Sequence, residues 1–438
     1  MKPRPKQRSA RPPKRAPSRV LEGKVRDVTD AGDSVVETEA GIVLVSGGFP
    51  GESVRVRTEE QRAGVTRGAL LAVLTGSPDR IEPACAIAER CGGCPLMGLA
   101  PEAQRALKLG RVQRALTGLC ADGVSVSFEP TPDVLGYRRR ARLGFRKLGQ
   151  GALLGYHAHG SKQLVALERC PILTPLLAAA LERVQARLVP ALEGAGEIEL
   201  DAGTDEQVSV AVRCDAAVSS ALYKVAEQLA SDAPIARVAL HVAGGAPARY
   251  GAPHDAAVLA SDGLPLSAPA HGFSQVNAAV NARLQALVLE LAQPEGARVL
   301  ELYAGHGNFT RALAAQAAAL SAVEGDAAAA QACRENLRVR GFKQARVTAA
   351  DVRTLELREH CDVVVLDPPR GGCAVLERLV AQSRASRVVY ISCHMTTLSR
   401  DLRALHAAGW VVDRAHALDM FPQTGHVEAV VRMRKVAS

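Results

Sequence analysis

The stretch ARVLELYAGHGNFTRALA (297–314) runs from an apolar strand through Gly305-x-Gly307 into a helical segment. Strand, turn and helix then alternate from about residue 271 to the C-terminus. That alternation restricts this third of the chain to an α/β fold built on a mainly parallel sheet. In such sheets the functional groups collect beyond the carboxyl ends of the strands. The residues that end each apolar run are therefore the ones to read for chemistry.

The glycines let a ligand approach the backbone closely, as NAD, a nucleotide or S-adenosylmethionine would require. The next strand ends in SAVEGD (321–326), which sets Glu324 where a carboxylate can accept both hydroxyls of a ribose. ARVTAAD (345–351) ends in Asp351, in position to meet an adenine edge. CDVVVLDPPRGG (361–372) ends in Asp367 followed by two prolines, which stop the strand and stiffen the loop. Hydride transfer has no use for this D-P-P element; a methyltransferase that holds a planar base beside its methyl donor does. VVYISCHMTTLSRDL (388–402) delivers Cys393 at a strand end just before a helix, where a thiolate is favoured. The last strand region carries Glu428 in TGHVE (424–428).

A cysteine, a carboxylate and an adenosine pocket on one sheet match one reaction. Uracil C5 is a poor nucleophile until a thiolate adds to C6 and makes C5 enolate-like. A base must afterwards remove the C5 proton before the cysteine is eliminated. Methylation of an exocyclic amine would need no cysteine.

The rest of the chain supplies a setting. With 438 residues, two or three domains are expected. No apolar run approaches the roughly 18 residues of a membrane helix, and the N-terminus lacks a secretory apolar segment. A cytoplasmic protein without a membrane partner is expected. Residues 1–15 carry seven Lys or Arg and no acid, so most of the net charge of +9 belongs to this tail. Its prolines point to a disordered arm (1–17) that can attach to phosphates. Residues 18–77 alternate in short runs such as ESVRVRT (52–58), as a small barrel of the oligonucleotide-binding type does.

Six of the ten cysteines are scattered, but CAIAERCGGC (85–94) clusters Cys85, Cys91 and Cys94, and LERCPIL (167–173) offers Cys170 as a fourth thiolate. Four thiolates hold zinc or an iron–sulfur cluster. Three clustered cysteines with one remote Cys-Pro favour iron–sulfur over the paired knuckles of zinc. GYRRRARLGFRK (136–147) sets six cations among apolar residues with no acid, as a strand with a phosphate-binding face would. These features place a central α/β domain at 78–270 and the cofactor-binding domain at 271–438.

CGGC with CPIL, GYRRRARL, FSQVN (273–277), DPPRGG, YISC and DMFPQTGHVE together resemble the RNA uridine-5-methyltransferases, in particular the iron–sulfur bacterial enzymes acting on 23S ribosomal RNA. The resemblance runs from about residue 18 to the C-terminus. It implies a TRAM domain at 18–77, a 4Fe-4S cluster on Cys85, Cys91, Cys94 and Cys170, and a Rossmann-like methyltransferase domain. Cys393 is implied as nucleophile and Glu428 as the base. Gln275, Tyr303, Asn308, Glu324, Asp351 and Asp367 are implied to contact S-adenosylmethionine, and Phe273 and Arg370 to help place the RNA. The implied partner is 23S rRNA, with tRNA as the alternative, and the implied state is a monomer. A non-catalytic RNA-binding protein is the reading from another class, against which the retained Cys393, Glu428 and Asp367 argue. Two positions depart from the family pattern: His394-Met395 follows the cysteine where Asn-Pro is usual, and Ala304 stands where cysteine is frequent.

Overall fold

The structure is a computed structural model that describes residues 18–62, 64–149, 151–252, 257–260, 262–268 and 272–436. The basic tail expected at 1–17 lies outside the described residues. Two compact units are present, the first built mainly from residues up to Gln104 and the second from most of the remainder.

In the first unit five strands, β1 (Val20–Val28), β2 (Asp33–Thr38), β3 (Gly41–Ser46), β4 (Ser53–Arg62) and β5 (Val65–Thr75), close into a barrel of order β1-β2-β3-β5-β4. Period-two alternation turns Val25, Val36, Val43, Val45, Val54 and Val56 into the interior. Arg55 pairs with Glu22 at 2.7 Å and Arg67 with Asp33 at 3.0 Å. The turn FPGES is structural, since buried Glu52 accepts from the Phe49 amide (2.9 Å) and from Arg80 (2.6 Å). Those donors hold its carboxyl below the ordinary value although burial opposes them. Helix α1 (Pro101–Ala115) follows.

The second unit contains two large sheets. Its first strand in chain order is β6 (Val126–Glu129). Then come β7 (Arg140–Leu148), β8 (Gly151–His157), β9 (Leu164–Ala166), helix α2 (Pro175–Arg183), β10 (Ala195–Ala202), β11 (Val208–Cys214), helix α3 (Ser220–Leu229), β12 (Ile235–Val242) and β13 (Ala248–Gly251). Seven of these strands form one mixed sheet in the order β13-β12-β11-β10-β7-β8-β9. A two-stranded ribbon of β14 (Ala257–Leu259) and β15 (Pro265–Ser267) leads into helix α4 (Ala278–Ala292).

The other sheet uses β16 (Arg298–Leu302), helix α5 (Thr310–Ala314), β17 (Ala319–Glu324), helix α6 (Ala327–Arg338), β18 (Ala345–Ala349), β19 (Val363–Leu366), helix α7 (Leu376–Ser383), β20 (Arg387–Ser392), helix α8 (Met395–Ala407), β21 (Trp410–Leu418) and β22 (Glu428–Lys435). Its order is β18-β17-β16-β19-β20-β22-β21-β6. The first five run parallel and β22 runs against them. The short strand β6, from far earlier in the chain, completes one edge beside β21. Strands β19 and β20 are buried almost throughout, as parallel strands covered on both faces must be. Clusters around Leu379, Tyr390 and Leu402 on one side and Leu284, Leu313 and Ile391 on the other supply that cover. Strand order reverses between β16 and β19, and the crevice for a ligand opens at such a reversal.

Candidate active site

The crevice is lined from β16 outwards. Leaving the strand, Tyr303 takes a positive φ of 61°, a conformation that a bulky residue adopts only when its surroundings enforce it. Gly305 (φ 58°) and Gly307 (φ 103°) continue the turn, and a Cβ on Gly307 would stand 3.2 Å from the Cys333 sulfur. At the end of β17, Glu324 accepts from the Gly305 amide at 2.8 Å and from the Asp326 amide at 2.7 Å. Its carboxylate is thereby fixed at the mouth of the turn. The Asn308 amide exchanges two 3.0 Å hydrogen bonds with Asn281 and accepts a third from Gln285, so it is braced by α4. Gln275 is buried with its Oε1 unpartnered. Asp351, one strand further out, is exposed and salt-bridged to Arg353 at 2.6 Å, which holds its carboxyl below the usual range.

Two residues of this crevice escaped the sequence reading. Glu301, one residue before the end of β16, is buried, and burial drives its carboxyl up to about 8; Thr310 opposes the shift while Asp367 and Glu324 add to it. His306, between the two glycines, is buried with Nε2 unpartnered. Burial lowers its imidazole to about 4, with Arg139 and Arg140 contributing. The signal for Glu301 was present: an acid inside an apolar strand.

The reactive groups meet at one edge by topology. Asp367 and Cys393 each directly follow a parallel strand, β19 and β20. Strand β22 runs the other way, with Ala429 opposite Ser392, so its first residue, Glu428, arrives at the edge where β20 ends. Burial pushes the half-buried Cys393 thiol up to about 12, Glu428 and Asp367 push it further, and Arg370 pulls back. Glu428 is buried and held well above the ordinary carboxyl value, first by burial and then by Asp367. Burial also raises Asp367 to about 7. Arg370 lies 3.4 Å from the His426 ring nitrogen and stays exposed. Phe273 is 69% exposed, unusual for an aromatic side chain.

The cation-rich strand β7 alternates as expected, but its acids come from a neighbour. Arg140 pairs with Glu199 and Arg142 with Glu199 at 3.2 Å across the β7–β10 register, and Arg139, just before β7, pairs with Asp201 at 3.4 Å. Arg140 also donates to the Gly272 carbonyl, just before FSQVN. Three of the six cations are therefore paired with acids of the same sheet, and a fourth, Arg138, donates to the Arg140 carbonyl at 2.9 Å.

The four cysteine positions are all partly buried; Cys91 lies in an isolated bridge to Ala158, and the other three lie outside the strands and helices. Cys85 and Cys94 belong to the first unit, Cys91 and Cys170 to the second. The Gly93 amide donates to the Cys91 sulfur at 3.4 Å. A Cβ on Gly92 would come within 2.9 Å of the His157 carbonyl oxygen, so glycine is required for that close approach. Among the described residues no group of three or more His, Cys, Asp or Glu side chains is gathered as a metal site.

Comparison with known proteins decides the family. A model of the tRNA (uracil-5-)-methyltransferase family matches residues 266–436. The 23S rRNA (uracil(1939)-C(5))-methyltransferase RlmD of Chromohalobacter salexigens is 36% identical over 412 residues, covering 90% of this chain and 84% of its own. The protein of the same name from Pectobacterium carotovorum subsp. carotovorum is 33% identical and covers 95% and 94%. The chain belongs to the RNA uracil-C5-methyltransferase family. It is an enzyme of that class, and its fold is that of a methyltransferase. The crystal structure of Pyrococcus abyssi tRNA (uracil-54, C5)-methyltransferase in complex with S-adenosyl-L-homocysteine shares the fold at a TM-score of 0.71 and 22% identity, covering 94% of this chain and all of that one.

The departure at His394-Met395 from the family's Asn-Pro is explained by the geometry after Cys393. His394 is the N-cap of α8, and its Nδ1 accepts from the Thr397 amide at 3.4 Å. A short polar acceptor at this position satisfies an otherwise orphaned amide, which is what an asparagine does. Met395 takes the first helical position, where a proline is tolerated but not required, and its side chain is buried instead. The exchange keeps the cap and alters only the chemistry of the capping group.

Proposed function

We propose that this protein transfers the methyl group of S-adenosylmethionine to C5 of a uridine in 23S ribosomal RNA, with Cys393 as nucleophile and Glu428 as base. The arrival of Cys393, Glu428 and Asp367 at one sheet edge carries this reading. The substrate follows the named activity of relatives that align along nearly the whole chain.

S-adenosylmethionine supplies an electrophilic methyl group on a positively charged sulfur. The crevice fits it: the glycine turn leaves room for a close ligand, and Glu324 presents a fixed carboxylate. Tyr303, Asn308, Gln275, Glu324 and Asp367 would hold it around the end of β16, and Asp351, after β18, would meet its adenine. In the ligand-free site burial favours the protonated forms of Glu428 and Cys393. A positive charge beside them favours their ionised forms and prepares the site for reaction.

Cys393 as thiolate forms a bond to C6, and the C5–C6 electron pair moves onto C5 and the adjoining carbonyl. C5 would then bond to the methyl carbon as the methyl–sulfur bond of S-adenosylmethionine breaks, its electron pair remaining on the now neutral sulfur. Glu428 takes the C5 proton, the freed pair re-forms C5=C6, and the Cys393 thiolate leaves. A stacked base hides the face that Cys393 must attack, so the uridine is presented in a loop or flipped out. Phe273, the exposed first residue of FSQVN, and Arg370 help to hold it.

The barrel at 18–77 acts as a TRAM domain, the central region at 78–270 carries the cluster and the remaining RNA contacts, and 271–438 is the methyltransferase domain. Cys85, Cys91, Cys94 and Cys170 would hold a 4Fe-4S cluster. Four thiolates, one already accepting an amide hydrogen bond, suit that group. The protein works in the cytoplasm on ribosomal RNA.

The test uses anaerobically purified protein, labelled S-adenosylmethionine and separate unmodified 23S rRNA and tRNA transcripts. Label recovered as 5-methyluridine in 23S rRNA is the expected result. Label in tRNA alone overturns the substrate and keeps the chemistry; label in neither overturns the assignment.

A further inference from the structure

We propose that Thr397, Arg400 and Asp401 are positioning residues, through which one face of α8 fixes the loop 370–373 against the nucleophile. The proposal rests on the reading of Cys393 as nucleophile. Helix α8 begins two residues after Cys393, and positions 397, 400 and 401 share one of its faces. Each reaches the backbone of that loop. Thr397 Oγ1 donates to the Arg370 carbonyl at 3.1 Å, Arg400 Nη2 to the Gly371 carbonyl at 2.9 Å, and Asp401 Oδ2 accepts from the Cys373 amide at 2.6 Å.

The one residue of the loop without such a bond, Gly372, is packed instead. Its φ is 72°, and a Cβ there would stand 2.4 Å from Asp401 Oδ2 and 2.7 Å from Arg400 Nη2. Asp401 is buried and serves a second purpose: it accepts from the Tyr390 hydroxyl at 2.7 Å, on the strand that ends in Cys393. Arg400 Nε braces its other oxygen at 2.8 Å. His394 joins the set, since its Nδ1 lies 3.0 Å from Thr397 Oγ1.

The buried face of α8 (Met395, Leu398, Leu402 and Leu405) already anchors the helix, so three polar side chains directed at one neighbouring loop define a distance. The segment between β19 and that loop starts at Asp367, and the loop itself carries Arg370; the two act on the Cys393 sulfur with opposite sign. Its placement therefore sets the balance of charge at the sulfur, and slackening it moves Arg370 while the fold stays intact.

The experiment follows alkylation of Cys393 by iodoacetamide against pH in the full-length holoprotein, read on the Cys393 peptide by mass spectrometry. It is combined with kcat, KM and thermal melting for Thr397→Val, Thr397→Ser and Asp401→Asn. Val at 397 and Asn at 401 are expected to shift the alkylation profile to higher pH and to lower kcat about ten- to a hundredfold. KM for RNA stays nearly constant, and Ser at 397 restores both readouts. Thr397→Val leaves the buried carboxylate untouched and carries the test if Asp401→Asn does not fold. An unshifted profile, or a loss of activity that only follows the unfolded fraction, overturns the positioning role. If alkylating Cys393 in the unmodified protein leaves methyl transfer intact, the nucleophile assignment falls instead.

Discussion

Two clusters of charge in the second unit are built on opposite principles. On β7 and β10, Arg139, Arg140 and Arg142 are matched by Glu199 and Asp201 within hydrogen-bond or salt-bridge distance. At the ends of β19, β20 and β22, Asp367, Cys393 and Glu428 crowd together, and Arg370 opposes the rise of the Cys393 thiol alone. Paired charges of the first kind hold strands in register. Unmatched acids of the second kind retain protons they would lose in water, and groups of that type concentrate where proton transfer is the function. The matched cluster also shows that burial can outweigh pairing: Asp201 rises to about 6 despite two arginines.

The comparison is broken most severely by removing the unmatched groups. Cys393→Ala should reduce methyl transfer to background and abolish any covalent complex with RNA, as a denaturing gel with labelled transcript would report. A residual rate near that of the unmodified protein would show that the thiol is not in the reaction. Glu428→Gln should act differently. Adduct formation and methylation of C5 continue, but proton removal stalls, so turnover falls by about 10²–10⁴ and a protein–RNA adduct accumulates. Loss of turnover without adduct would move Glu428 from base to a role before methyl transfer.

The sequence displayed these two clusters unequally. Asp367, Cys393 and Glu324 were legible because a parallel strand announces its own end, and function collects there. Glu428 was legible only through its motif, since its neighbourhood depends on the antiparallel register Ser392–Ala429, set by residues about forty positions apart. The basic strand was read from its local sequence, which contains no acid. Its partners lie 57–62 residues away on β10, beyond the reach of any local pattern. The same limit applies to β6, an edge strand of the methyltransferase sheet drawn from a distant part of the chain. Asp351 stood at its predicted strand end, but its exposure and its bond to Arg353 are tertiary facts.

The matched cluster supplies the third prediction. Arg140→Ala leaves Glu199 in a mostly buried position with only the more exposed Arg142. Loss of one partner of such a pair costs about 3 kcal/mol, measurable as a lower urea midpoint. The salt dependence of RNA binding should barely change, because Arg140 is already neutralised. A slope reduced by about one with stability intact would instead identify it as a phosphate contact.

The smallest effect concerns stability against pH. Glu301 binds its proton up to about 8 in the fold but has an ordinary value of 4.5. The folded state therefore holds a proton that the unfolded chain releases. This stabilisation is complete below 4.5, declines as pH rises, and is gone above about 8. Asp367 acts in the same direction over a window that closes near 7. Melting temperature of the ligand-free protein should thus fall between pH 5 and 8, by the few degrees typical of one such group. Glu301→Gln, which cannot ionise, should lessen the slope throughout the decline and flatten it most above about 7, where the Asp367 contribution has ended. An equal slope in both proteins would mean that the buried carboxyl finds a donor once the chain is in water, and that the crevice resembles the matched cluster more than its geometry indicates.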